Sequence, residues 1–214
     1  MKFSRRRFVA ASLALGAAFS LVMTAACAQA AGKDYTLISP PQATDEPAKI
    51  EVLEFFSYGC PHCNDFNPLL TAWVAKQSGD VVVKRVPVSF NSYFAMIAPL
   101  YYTLEATGDL ARLDATVFRT IHSEGNRLAD AQSRAAWAAK NGIDAKKFDD
   151  TYRSFSVASK VRRADQITQA YKVPGVPALA IDGKYLIEGH EFNETLAIAE
   201  RLVAKVRAEK FGKK

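Results

Sequence analysis

The chain has 214 residues, of which 49% are hydrophobic, and a formal net charge of +6. Its first 30 residues hold four of the 28 basic residues and none of the 22 acidic ones, so the remaining residues carry a net charge of +2. A domain this close to neutral lacks the basic surface that nucleic-acid binding requires, and we expect no nucleic-acid partner. The length and apolar content suit one domain of ordinary core size, or one domain that carries an insertion.

Residues 1–30 have the pattern of an export signal. A basic head, which includes Arg5, Arg6 and Arg7, precedes a mildly apolar stretch, and Ala28-Gln29-Ala30 has the small residues of a cleavage site. The run Ser4 to Val9 also resembles a twin-arginine signal, so both export routes stay open. A retained membrane anchor is disfavoured by the cleavage pattern.

Cysteine usage changes once this signal is removed. Cys27 lies beside the cleavage site, and the mature chain then keeps only Cys60 and Cys63. Lipidation of Cys27 is an alternative, but Thr24 stands where an aliphatic residue is usual. One close pair in an exported protein does not make a disulfide-stapled scaffold.

The first elements predicted are strands. Tyr35 to Ser39 forms a short strand candidate, and Ile50 to Ser57 forms a stronger one whose nearly continuous apolar character predicts cover on both faces. Glu54 interrupts that apolar run. The periodic residues after Pro61 predict a helix, because apolar side chains recur at spacings of three and four. Val81 to Val86 predicts the next strand.

Residues 93–171 have helical patterns throughout. Candidate N-terminal caps in this block are Asp109, Asp130, Asp144 and Ser156. Strands return at Ala178 to Asp182 and at Lys184 to Glu188, with Asp182-Gly183 as a hairpin turn. Asn193 is then the expected cap of a final amphipathic helix.

The pair Cys60-Pro61-His62-Cys63 follows directly after the strong strand. Such a pair can form a small disulfide, contribute half of a metal site, or be buried and inert. A metal site needs more ligands, and besides carboxylates the mature chain offers only His62, His122 and His190. Gly59 and Pro61 favour an exposed turn over an inert pair. Redox chemistry is therefore the favoured interpretation.

Helix physics distinguishes the two thiols. Cys60 is predicted at the helix N-terminus, where unpaired N–H groups and the helix dipole stabilise a thiolate and depress its pKa. Cys60 is thus the predicted nucleophile. Cys63, one turn further in, is the resolving partner of the mixed disulfide.

The segments Phe55 to Cys63 and Gly175-Val176-Pro177-Ala178 resemble the signature segments of the thioredoxin superfamily, and within it of the DsbA family. The resemblance extends over essentially the whole mature chain. It implies an α/β thioredoxin-like fold formed by residues 31–92 and 172–214, with residues 93–171 as an inserted helical domain. It implies no cofactor and no metal.

The resemblance also implies roles for individual residues. Val176 and Pro177 match the cis-proline loop, where a substrate peptide pairs with the backbone. His62, behind Pro61, matches a position that stabilises the Cys60 thiolate.

Glu54 matches a buried acid that assists proton transfer at the inner cysteine. Its basic partner is either Lys84 or Arg85 on the next strand. His122 and His190 match no such position, and we expect both at the surface.

The function implied is that of a monomeric periplasmic thiol:disulfide oxidoreductase. It would donate a Cys60–Cys63 disulfide to newly exported, reduced and unfolded polypeptides, and a quinone-linked, DsbB-like membrane oxidase would reoxidise it. Three alternatives remain. They are a disulfide isomerase or reductase, which the short segment before the first strong strand disfavours; a glutathione-dependent isomerase; and a binding module that holds unfolded chains without redox turnover.

Overall fold

The computed structural model describes residues 32–212; the predicted signal and Cys27 lie outside these residues. Five strands form one mixed sheet in the order β1-β5-β4-β2-β3. The strands are β1 Thr36–Leu37, β2 Ile50–Phe56, β3 Val81–Pro87, β4 Ala178–Ile181 and β5 Tyr185–Ile187. Strand β2 pairs in parallel with β3 and antiparallel with β4. This is the α/β architecture predicted from the sequence.

Within residues 32–212, seven helices accompany the sheet, and five of them lie between β3 and β4 in the chain. They are α1 Pro61–Val74, α2 Ser92–Thr107, α3 Leu110–His122, α4 Ala131–Lys140, α5 Ala145–Tyr152, α6 Phe155–Ala170 and α7 Phe192–Phe211. None of the helices in the described part of the chain combines the length and apolar character that crossing a bilayer requires.

Strand β2 is the centre of the core. All seven of its residues are buried, including Glu54, which confirms the expected cover on both faces. One face packs with α1 and α7, and the other packs with α6. A third apolar cluster joins the end of β2, the start of α1 and the helical block, and both cysteines belong to it. The redox pair therefore lies where the sheet meets the helical block.

The hairpin prediction is confirmed. Asp182 and Gly183 both have positive φ, at 51° and 68°, and the Lys184 amide donates to the Ile181 carbonyl at 3.0 Å. Glycine is required at position 183 for two reasons: φ there is positive, and a Cβ would lie 2.0 Å from the carbonyl oxygen of Gln42.

Predicted helix caps were correct where the side chain reaches its target. Asp130 accepts from the Ser133 amide and Asp144 from the Lys147 amide, both at 2.7 Å. Asp109 precedes α3 but its carboxylate is bound to Arg112 instead.

Two predicted caps were wrong. Ser154, not Ser156, caps α6 by accepting from the Val157 amide. Asn193 lies inside α7, which begins one residue earlier at Phe192. The Phe192 ring packs on Phe66, with centroids 5.4 Å apart.

Candidate redox site

Cys60 immediately precedes α1, and Pro61 is the first residue of that helix. The Cys60 backbone is extended, with φ −91° and ψ 118°, and its amide donates to the Ser57 carbonyl at 3.1 Å. Proline suits the next position because the first N–H of a helix has no partner within the helix. The Cys60 sulfur therefore lies at the end of α1 where backbone N–H groups are available and the dipole is positive.

The two thiols, both free, have opposite surroundings. A hydrogen bond from the Cys63 thiol, helped by the backbone amides of Cys63 and His62 and by the electrostatic effect of His62, outweighs burial and lowers the pKa of Cys60 to about 6. Burial, followed by the interaction with Cys60, raises the pKa of Cys63, which is 0% exposed. Cys60 is thus the thiol that ionises at neutral pH, while Cys63 keeps its proton.

The loop before β4 faces Cys60. The peptide bond between Val176 and Pro177 is cis, and the Val176 carbonyl accepts a hydrogen bond from the Cys60 thiol at 3.6 Å. Both loop residues are half-buried, whereas Pro61 and His62 lie exposed on the first turn of α1. The structure thus brings Val176 against the reactive sulfur.

Glu54 lies in β2, six residues before Cys60, and is 0% exposed. It is directly opposite Arg85 in the parallel register of β2 and β3, so the two side chains emerge on one face of the sheet. The Arg85 guanidinium binds the Glu54 carboxylate through Nε and Nη2. Lys84 is on the opposite face and binds Glu51 at 2.9 Å. Arg85, and not Lys84, is therefore the basic partner of Glu54.

Burial and the neighbouring charged groups determine the direction in which the pKa of Glu54 is shifted. Burial raises the pKa of Glu54, Arg85 opposes this effect, and the charge of Asp114 adds to it, so that the net shift is upward. The negative charge of Glu54 in turn contributes to the raised pKa of Cys63. Glu54 and the inner thiol are electrostatically coupled.

Sequence reasoning missed a second group of side chains, supplied by α3. The Asp114 carboxylate accepts from Arg85 Nη1 at 2.7 Å and from the Tyr58 hydroxyl at 2.6 Å. Phe118 packs edge-on against the Tyr58 ring with centroids 4.9 Å apart. His122 Nε2 donates to the Tyr58 carbonyl at 2.8 Å. Spacings of four residues put all three on one helix face, which was the available signal.

The surface assignment of the two remaining histidines was wrong. His122 is half-buried and holds the backbone two residues before Cys60, as described above. His190 is also half-buried, and its Nε2 lies 3.1 Å from the carbonyl oxygen of Asp34. Both rings bind backbone carbonyls, which a sequence pattern does not reveal.

A metal centre has no support in the described chain. Within residues 32–212, no group of three or more His, Cys, Asp or Glu side chains is placed to hold a metal ion.

Titration of the reduced protein should reveal the unequal thiols. Its ultraviolet thiolate absorbance should rise as the pH passes through about 6. Cys63→Ala should raise the pKa of Cys60 more than His62→Ala does, because the Cys63 hydrogen bond is the largest of the contributions that lower it. Cys60→Ser supplies the background. A Cys60 titration near the ordinary thiol value of about 8.5 would contradict this assignment, and a larger effect of His62→Ala would contradict the order of causes.

Comparison with known proteins agrees with this geometry. Residues 51–199 match the family of DSBA-like thioredoxin domains. The chain is 39% identical over 200 residues to the thiol:disulfide interchange protein DsbA of Bordetella parapertussis, covering 91% of this chain and 95% of that protein. It is 36% identical over 209 residues to DsbA of Pseudomonas aeruginosa, covering 95% and 98%.

Solved structures give the same result. The crystal structure of Pseudomonas aeruginosa DsbA superimposes with a TM-score of 0.82 at 36% identity, covering 86% of this chain and 97% of that one. The oxidoreductase DsbA from Xylella fastidiosa gives a TM-score of 0.80 at 30% identity, covering 84% and 98%. The chain has the thioredoxin-like fold with a helical insertion, and it belongs to the DsbA family of thiol:disulfide oxidoreductases.

Proposed function

We propose that this protein donates a Cys60–Cys63 disulfide to newly exported, reduced polypeptides in the periplasm. The observation that carries the proposal is the contrast between the two sulfurs. Cys60 lies at a helix N-terminus with its pKa lowered to about 6, and Cys63 is fully buried with its pKa raised. Such a pair favours the reduced form, so its disulfide is readily transferred.

The transfer would proceed in two steps. A substrate thiolate attacks the Cys60 sulfur, the Cys60–Cys63 bond breaks, and its electron pair passes to Cys63, which takes up a proton. A second substrate thiolate then attacks the substrate sulfur of the mixed disulfide and releases Cys60 as a thiolate. The substrate loses two electrons and gains a disulfide, and the protein gains the two electrons as a Cys60 thiolate and a Cys63 thiol.

Individual side chains have distinct proposed roles. Glu54 supplies the proton that Cys63 takes up, since it is buried near that thiol and electrostatically coupled to it. His62 stabilises the Cys60 thiolate. Val176 and Pro177 bind the substrate backbone, and the half-buried state of this loop beside Cys60 supports that role.

The sign of the pH effect favours donation. The folded pKa of Cys60, about 6, lies below the ordinary thiol value of about 8.5. The reduced protein therefore gains folding stability as the pH rises between these two values, and loses it as the pH falls through 6. The disulfide form has no thiol to ionise and gains nothing, so at neutral pH the thiolate favours reduction of the protein.

The proposed function also includes an oligomeric state, a reoxidising partner and a division into domains. The protein acts as a monomer after removal of residues 1–30, and a DsbB-like, quinone-linked membrane oxidase restores its disulfide at the same site. Residues 31–92 and 172–214 form the thioredoxin-like domain, and residues 93–171 form the inserted helical domain. The presence of helices α2 to α6 between β3 and β4 supports this division.

Redox equilibrium measurements test the proposal. Oxidised protein mixed with a reduced dithiol peptide should form one peptide disulfide for each Cys60–Cys63 pair reduced. In glutathione buffers, the pair should remain reduced at glutathione disulfide levels that would oxidise an ordinary thioredoxin-type pair. A pair that stays oxidised in strongly reducing buffer would instead identify a reductase. Failure to oxidise the peptide would overturn the donor assignment.

A further inference from the structure

Arg85 is shared between two carboxylates that come from different parts of the chain. Its Nε and Nη2 bind Glu54 on β2, and its Nη1 donates to Asp114 on α3 at 2.7 Å. The guanidinium lies over the Phe56 ring, 4.0 Å from its centroid, and is 15% exposed. One buried cation therefore faces two acids.

Asp114 is held at this position independently of Arg85. The Tyr58 hydroxyl donates to its other carboxylate oxygen at 2.6 Å, and Tyr58 is 1% exposed. The Asp114 side chain is 20% exposed, whereas Glu54 is 0% exposed. Asp114 is therefore the more exposed of the two acids, and it accepts from a tyrosine hydroxyl as well as from Arg85.

We propose that Asp114 is a positioning residue that, by sharing the Arg85 guanidinium and placing a second negative charge beside it, keeps Glu54 able to hold and release a proton. The inference rests on the proton-donating role proposed above for Glu54. It adds a residue of the helical block to the proton chemistry of the redox pair.

The titratable and charged groups around Glu54 show in which direction Asp114 shifts the pKa of Glu54. They are Arg85 from β3, Asp114 from α3, Tyr58 from the loop before α1, Cys63 from α1 and Tyr101 from α2. Among them only Arg85 is a cation. An undivided ion pair with Arg85 would favour the ionised form of Glu54. The Asp114 carboxylate opposes that pairing, and its charge raises the pKa of Glu54 in addition to the effect of burial.

The protonation of Glu54 matters in the first step of disulfide transfer. When the Cys60–Cys63 bond breaks, the electron pair left on Cys63 takes the proton of the Glu54 carboxylic acid. The resulting Glu54 carboxylate is stabilised by Arg85 and regains its proton from solvent. Without Asp114, the pKa of Glu54 would be lower, and a smaller fraction of Glu54 would carry this proton at a given pH.

Direct titration of Glu54 tests the inference. We would record the carboxyl band of Glu54 by infrared difference spectroscopy against pH, using oxidised protein so that no thiol titrates and Glu54→Gln to assign the band. Asp114→Asn should lower the Glu54 titration by about one pH unit or more, the size of effect that a nearby charge has on a carboxyl. Asp114→Ser, also neutral and smaller, should shift it the same way if the asparagine variant folds poorly.

Two further variants separate charge from packing. Asp114→Glu restores the carboxylate and should keep the titration near that of the parent protein. Asp109→Asn makes the same chemical change just before α3, where the carboxylate binds Arg112 instead, and should not move the titration. The rate of mixed-disulfide formation with a reduced peptide should begin to fall at a lower pH in Asp114→Asn, in step with the infrared shift.

The failure of this inference is distinct from failure of the proposed function. An unmoved Glu54 titration in both neutral variants would overturn the inference, even if the protein transfers its disulfide normally. A loss of thermal stability without a titration shift would identify Asp114 as structural only. Absence of disulfide transfer in the parent protein would instead overturn the proposed function, and the infrared result would still report on Asp114.

Discussion

Replacing Cys60 with alanine should reduce disulfide transfer to the rate of the uncatalysed reaction, a loss of about 10³-fold or more, as expected when the sulfur that the substrate thiolate attacks is removed. Cys60 is the sulfur whose pKa is lowered to about 6, and it lies against the Val176 carbonyl. Cys63 cannot substitute for it, because that side chain is 0% exposed. The measurement is the rate at which a reduced dithiol peptide becomes oxidised, with glutathione disulfide as the terminal oxidant.

Cys63→Ala is the matched control for this experiment. It removes the other thiol of the pair but leaves Cys60, whose thiolate can attack glutathione disulfide, release reduced glutathione and form a Cys60–glutathione mixed disulfide. Without peptide this species should accumulate, because no internal thiol resolves it. If Cys60→Ala oxidises the peptide at the original rate, the protein is a binding module that holds unfolded chains, and the redox assignment is wrong. Far-ultraviolet circular dichroism of both variants checks that each is folded.

Replacing Arg85 with methionine should lower the free energy of unfolding by about 3–5 kcal/mol, the usual effect of breaking a buried ion pair by removing one partner. The change leaves Glu54 at 0% exposure and Asp114 at 20% exposure without their shared cation. The charge–ring contact with Phe56, 4.0 Å from the guanidinium carbon to the centroid, is lost as well. Urea unfolding of the oxidised protein gives the free energy without interference from the thiols.

Two controls make the stability result interpretable. The double variant Glu54→Leu with Arg85→Met should recover most of the lost stability, because no unpaired charge then remains at the buried end of the network. Arg163→Met removes an exposed arginine that binds Asp45 at 2.7 Å, and should change the free energy of unfolding by about 0–1 kcal/mol. If Arg85→Met has no larger effect than Arg163→Met, the network does not stabilise the fold.

The parts of the fold that depend on local sequence were predictable. The continuous apolar run of β2 indicated a strand buried on both faces, and Asp182-Gly183 indicated the hairpin. Cys60 before Pro61 indicated a thiol at a helix start. Each of these features is decided by residues within one element, and the backbone preferences of proline and glycine act over one or two residues.

The parts that depend on packing between distant segments were not predictable. The apolar stripe of α3 was visible in the sequence, but nothing in it shows which element lies against Asp114 and His122. Glu54 could be placed in a buried strand, whereas the choice of Arg85 over Lys84 required the register of β2 and β3. A slip of that register by one residue would have exchanged the two basic side chains.

The start of α1 relates helix stability directly to redox state. No side chain caps this helix, and its first turn contains no acidic residue. In the reduced protein, the ionised sulfur of Cys60 is therefore the anion that complements the amides of the first turn, including those of His62 and Cys63. In the disulfide form that negative charge is gone, and the same helix begins without a cap. When the cysteine pair accepts electrons from a substrate, the start of α1 becomes better capped. The stability of this helix therefore contributes to the driving force for oxidation of the substrate.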